Sequence, residues 1–182
     1  MKKYTLTGLA FVTLAAMAQA QQPMLSTADR ALAHDVLKQL IETNTSHSVG
    51  STTVAAEAMR KRFLDAGFAA KDMVVMGPDD RHGNLVLRYH GKHGSTLKPA
   101  LIIAHLDVVE AKREDWTSDP FKLVEKDGYF FGCGMQDMKD SDAANVTSFL
   151  LLKRQGFVSD RDLILALTAD EEGGVTTASP GF

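Results

Sequence analysis

The sequence predicts an α/β fold with a largely parallel sheet sandwiched by helices. Three observations carry that expectation. Two strongly apolar runs, Ala100 to Val109 and Asp162 to Thr168, have the look of central strands buried on both faces. Segments with helical spacing alternate with strand-like ones. Acidic and imidazole side chains gather at or just beyond the ends of the apolar runs, where chemistry collects in open α/β sheets.

The chain has 182 residues, a formal net charge of −3, a single cysteine and 45% hydrophobic residues. That is ordinary globular composition and about one domain's worth of chain. There is no basic block and no interleaving of aromatic with basic residues, so nucleic-acid binding has no support. Residues 1–20 have the layout of a secretory signal peptide. Lys2 and Lys3 form a positive start, Leu6 to Met17 is a short apolar stretch, and Ala18-Gln19-Ala20 offers a cleavage site. The apolar stretch is too short to span a bilayer comfortably. The expected mature chain, residues 21–182, is secreted, with the bacterial periplasm as its destination and no membrane contact after cleavage. Cys133 is the lone cysteine and can form no internal disulfide.

Taken in order, Ser26 is a good N-cap for a first helix that ends near Thr43-Asn44, with Ala31, Leu32, Val36, Leu37, Leu40 and Ile41 at helical spacing. The stretch from Thr45 to Thr53 is rich in Ser, Thr and Gly and reads as loop. A second helix spans Val54 to Ala66, stopped by Gly67. Met73 to Met76 is a short strand, Gly77-Pro78-Asp79-Asp80 a turn, and Asn84 to His90 a strand with Leu85, Leu87 and Tyr89 on one face. Phe121 to Glu125 and Tyr129 to Phe131 flank Asp127-Gly128, a hairpin signal. Gly132 to Met138 reads as loop, and a helix follows from Ser141 to Arg154.

Three stretches can carry chemistry. His105 and Asp107 are two apart on a strand and share a side of it, so the aspartate can accept the second ring N–H of the histidine. Taken alone, the pair reads equally well as a satisfied core histidine. Asp137 lies in Gly132-x-Gly134-x-x-Asp137, just before a helix, where an acid also suits the macrodipole. Glu171 and Glu172 are adjacent at a strand end. At close range their repulsion costs a few kcal/mol even at an effective dielectric of about 20. A cation removes that conflict, and the alternative is a solvated acidic turn. One histidine with several carboxylates suits zinc, with cobalt or manganese as alternatives. No Gly-x-Ser-x-Gly is present, which argues against a serine hydrolase.

The ordered motifs His105-Leu-Asp107-Val-Val, Trp116-x-x-Asp119-Pro120-Phe121, Gly132-x-Gly134-x-x-Asp137-Met-Lys139 and Asp170-Glu171-Glu172-Gly173 resemble those of metallopeptidase family twenty. That family includes carboxypeptidase G, succinyl-diaminopimelate desuccinylase, acetylornithine deacetylase, aminoacylase and carnosinase-like dipeptidases. The resemblance covers residues 27 to 174. It implies a zinc-exopeptidase-like three-layer α/β/α sandwich, here with an incomplete sheet, and a peptide or N-acyl amino acid as substrate. By that resemblance His105 ligates one of two zinc ions, Glu172 the other, and Asp137 bridges them. Asp107 orients His105, and Glu171 is the general base.

The chain departs from the family pattern in places. Cys133 stands where the family usually has Arg, and reads as a small filler rather than a ligand. Asp140 stands where Gly is usual, and is expected to stiffen the turn. Family members also continue well past the Glu-Glu motif. They supply further ligands and a smaller domain that often dimerises. The expectation is therefore a truncated N-terminal portion with little activity alone, an exposed apolar sheet edge, and dimerisation only in a full-length parent. The competing expectation is a non-catalytic remnant with weak or no metal binding.

Overall fold

A computed structural model of the chain describes residues 25–173. The signal-peptide region and the tail after Gly173 lie outside the described residues.

Helix α1 (Thr27–Ile41) begins where Ser26 Oγ accepts the Asp29 N–H at 3.1 Å, and it buries Val36, Leu37, Leu40 and Ile41. Helix α2 (Thr52–Asp65) starts two residues earlier than its apolar spacing suggests, because Ser51 supplies its cap. Ala55, Ala56, Met59 and Phe63 form its inner face. Helix α3 (Asp140–Arg154) inserts Val146, Phe149 and Leu150 and packs against α1.

The main sheet has four strands in the order β1 (Met73–Met76), β2 (Asn84–Tyr89), β6 (Leu163–Thr168) and β3 (Ala100–His105). A separate hairpin joins β4 (Val124–Lys126) to β5 (Tyr129–Phe131) about the expected Asp127-Gly128 turn. The α/β class is as expected, and the sheet is incomplete. It is not largely parallel. Among the described strands only β3 and β6 run parallel, whereas β1–β2 and β2–β6 are antiparallel. For β1–β2 the reason is local: a short turn joins them, and a parallel pair needs a crossover of a dozen or more residues.

Phe63, Phe68, Tyr89 and Phe149 form a chain of ring contacts at 5.2, 5.7 and 6.2 Å between centroids. This chain places α2 and α3 on the same face of the sheet, over Leu85, Leu87, Leu165 and Leu167. The described residues thus supply the sheet and one helical layer of the sandwich. On the opposite face Leu101 and Ile103 are 63% and 62% exposed. The expectation that Ala100 to Val109 is a central strand buried on both faces is therefore corrected. Strand β3 ends at His105 and lies at the sheet edge among the described residues, with β6 as its ladder partner. Leu106 and Val108 are buried for another reason. The chain leaves the sheet there and runs under the loop after α1, where Val108 bridges to Ser46.

Candidate metal centre

Three chain segments meet at the carboxyl ends of β3 and β6. His105 is the last residue of β3. Glu171 and Glu172 follow β6, which runs parallel to β3, so both strands deliver their ends to the same rim. Asp137 arrives from the turn Met135–Lys139, which leads directly into α3. It is the irregular loop expected, with Asp137 (φ −137°, ψ 93°) and Met138 (φ −136°, ψ 39°) outside helical dihedrals. Gly134 permits it with φ 73°, and a Cβ there would come within 2.2 Å of Val108 Cγ1.

His105 is buried, and its Nε2 points at the rim. Asp137 Oδ1 lies 3.1 Å from that nitrogen and Glu171 Oε2 3.8 Å. Donor atoms of His105, Glu171 and Glu172 all fall within 4.8 Å of one another. Asp137 therefore joins the group from the His105 side, outside that trio, while Glu171 lies inside it. Asp137 and Glu171 are open to solvent, with side chains 73% and 62% exposed.

Asp107 is buried behind the histidine. His105 Nδ1 is 3.1 Å from the Asp107 backbone carbonyl and 3.6 Å from its Oδ1. The hydrogen bond expected of the carboxylate is thus made by the backbone carbonyl, while Oδ1 makes no hydrogen bond and acts on the ring through its charge. The other carboxylate oxygen, Oδ2, accepts the Glu172 N–H at 2.7 Å. One residue thereby touches both the imidazole and the Glu-Glu segment.

The electrostatics match this arrangement. The Asp107 carboxylate pushes the His105 imidazolium up to about 9, against the opposing effect of burial. Burial pushes the Asp107 carboxyl up, but His105 and the Glu172 and Glu171 backbone N–H groups outweigh it, and the net shift is downward. Burial first, then the negative charges of Asp137 and Glu171, raise the Glu172 carboxyl. A nitrogen ligand aimed at a rim of mutually repelling carboxylates fits a divalent cation, which relieves that repulsion.

Two buried titratable residues behind the rim escaped the sequence reading. Lys139 is fully buried and its Nζ donates to the carbonyls of Leu40 and Thr43, at 2.8 and 2.9 Å. It closes the C-terminal end of α1, and burial pushes its ammonium down to about 8. Asp142 is also fully buried, neither of its oxygens makes a hydrogen bond, and burial pushes its carboxyl up to about 8. Charged residues next to a motif read as solvated, so nothing in the sequence marked either as interior. A second group, His47, His82 and Asp170, also lay unnoticed in two loops and a strand end.

The two departures from the family pattern are accommodated. Cys133 is buried and burial raises its thiol, as suits a small filler. Asp140 does not stiffen a turn. It is the first residue of α3, where an acid is favoured by the helix dipole.

Residues 101–181 match the sequence pattern of peptidase family M20/M25/M40. The succinyl-diaminopimelate desuccinylase of Cupriavidus pinatubonensis is 32% identical over 150 residues, covering 81% of this chain and 37% of that protein. The fold is similar to that of the di-peptidase Dug1p from Saccharomyces cerevisiae, with a TM-score of 0.66 and 22% identity over 81% of this chain and 33% of the other. It is also similar to the YXEP protein of Bacillus subtilis, described as a dinuclear metal binding peptidase from the M20 family. There the TM-score is 0.56 and the identity 15%, over 81% of this chain and 37% of the other. The chain spans 16 to 37% of the length of the curated relatives compared. Motifs, fold and pattern match agree: over residues 101–181 the chain carries the pattern of peptidase family M20/M25/M40, a family of hydrolases, and it is similar in sequence and fold to members of that family.

Proposed function

We propose that this chain carries the rim of a metal-dependent hydrolase that cleaves a peptide or N-acyl amide bond. The observation that supports it best is the convergence of His105 Nε2 with Asp137 and Glu171 at 3.1 and 3.8 Å, with Glu172 beside them. His105, Asp137 and Glu172 are the proposed ligands, and two zinc ions the proposed cofactor, with cobalt or manganese as substitutes. When bound, such ions supply Lewis acidity to the scissile carbonyl and to the attacking water.

The remaining work falls to the side chains. Glu171, exposed at the rim, takes a proton from the attacking water and returns it to the leaving amine. Asp107 and its own backbone carbonyl hold the His105 ring with Nε2 outward, so that its lone pair is presented to the cation. The Glu172 N–H donated to Asp107 fixes the backbone between the base and the ligand. The proposed substrate is a peptide or N-acyl amino acid, a class supported by likeness to the desuccinylase. Export through cleavage after Ala20, to the periplasm or medium, is part of the same proposal, as is dimerisation confined to a longer parent chain.

The test is Glu171→Gln, assayed on N-succinyl and dipeptide substrates with metal content measured in parallel. Loss of turnover by 100-fold or more, with bound metal retained, is expected of a general base. Equal loss of metal and turnover would instead make Glu171 a ligand. Absence of metal binding and of turnover in the unaltered chain would favour the non-catalytic remnant.

A further inference from the structure

A second group of ligand-type side chains lies apart from the rim residues assigned above. His47 comes from the loop after α1, His82 from the turn between β1 and β2, and Asp170 from the end of β6. Their donor atoms lie within 4.8 Å of one another. His47 Nδ1 is 3.5 Å and His82 Nε2 3.9 Å from Asp170 Oδ1. The two rings are 4.9 Å apart between centroids. Ligand atoms around a tetrahedral zinc-type ion, with bonds near 2.0–2.1 Å, are separated by about 3.3 Å. The two spacings to Asp170 are wider by about 0.2 and 0.6 Å, within reach of side-chain rotation.

The surroundings select the ligand form of these rings. Asp79 holds His82 Nδ1 with both carboxylate oxygens at 2.8 Å and accepts the backbone N–H groups of Arg81 and His82 at 2.8 and 3.0 Å. A neutral His82 therefore keeps its proton on Nδ1 and turns a bare Nε2 lone pair towards Asp170. That carboxylate–imidazole arrangement is the usual support of a metal-ligating histidine. Both His82 Nε2 and His47 Nδ1 are buried and make no hydrogen bond. Buried nitrogen left so is costly unless something else satisfies it. The loops are also pinned in place. The Arg81 guanidinium donates to the backbone carbonyls of His47 and Ser48, which ties the His47 loop to the turn carrying His82.

We propose that His47, His82 and Asp170 form a separate site for one divalent transition-metal ion of the zinc type. Such an ion would tie the hairpin turn and the loop after α1 to the end of β6. Asp170 immediately precedes Glu171-Glu172, so the ion would also anchor the segment that carries both glutamates. The proposal does not depend on the hydrolytic reading and stands if hydrolysis is absent.

The test uses the full chain with the rim site disabled by His105→Ala and Glu172→Ala, stripped with chelator and titrated with Co2+. One equivalent should bind, with the ligand-field absorption of a site of low coordination number. Adding His82→Ala or His47→Ala should abolish that equivalent, and Asp79→Asn should weaken it by 10- to 100-fold. Circular dichroism of each variant separates loss of a ligand from loss of the fold. A second measurement needs no disabled rim: in the otherwise unaltered chain, His47→Ala should lower the metal content by one equivalent per chain. The proposal is overturned if the rim-disabled chain, shown to be folded, binds no Co2+, or if neither histidine substitution changes the stoichiometry in either background.

Discussion

Replacing Asp142 with Asn should make the folded chain more stable and flatten its response to pH. The carboxyl is fully buried, neither oxygen makes a hydrogen bond, and its protonation point is raised from 3.8 to about 8. Between those values the folded state holds a proton that the unfolded state has released. Stability therefore falls as pH rises through that window. At about 1.4 kcal/mol per pH unit, the penalty is about 2 kcal/mol at pH 5 and about 4 kcal/mol at pH 7. Asn has nearly the same shape and no proton to hold, so this penalty disappears. His105, raised to about 9, also loses stabilisation as pH rises, but it does so in both proteins and cancels in the comparison. Lys139, lowered to about 8, carries a penalty that is constant below pH 8 and so cancels too. Urea unfolding of the metal-free chain at pH 5 and pH 7 measures the effect. With a slope of about 2 kcal/mol/M, the gap between variant and parent midpoints should widen by about 1 M between the two pH values. A gap that stays constant, or an Asn variant less stable at pH 7, would refute the argument that burial keeps Asp142 neutral.

Other outcomes follow from the same packing. Lys139→Ala should cost about 2–4 kcal/mol, read by thermal unfolding, because it strands the Leu40 and Thr43 carbonyls. Ile103→Lys, on the open face of β3, should change stability by no more than about 0.5 kcal/mol and reduce self-association in light scattering. Ser26→Ala should lower stability by about 1 kcal/mol in chemical unfolding, through loss of the α1 cap.

Much of this arrangement was legible from residue order. Ser26 announced α1, Asp127-Gly128 announced the hairpin, and the alternation of Leu85, Leu87 and Tyr89 gave the inner face of β2. The convergence of His105 with the acids was legible because strands that run parallel bring their ends to one rim. What escaped was set by non-local pairing. Whether Leu101 and Ile103 face a helix or solvent depends on what covers the far side of the sheet, and an apolar run reads the same in either case. The antiparallel pairing of β2 with β6 joins segments more than 70 residues apart, which no local pattern announces. His47 and His82 lie in separate loops, 35 positions apart, and only the folded chain puts their rings side by side. The interior place of Lys139 depended on two free carbonyls at the end of a helix nearly 100 residues upstream.

That lysine has a consequence for how the chain tolerates change. It stands two positions after Asp137 and grips the last turn of α1, so the acid's placement is mechanically coupled to a helix that contributes no ligand. Drift in α1 sequence that leaves the protein folded could still shift that grip. Its mark would then be a change in ion occupancy, found far from any residue that touches an ion.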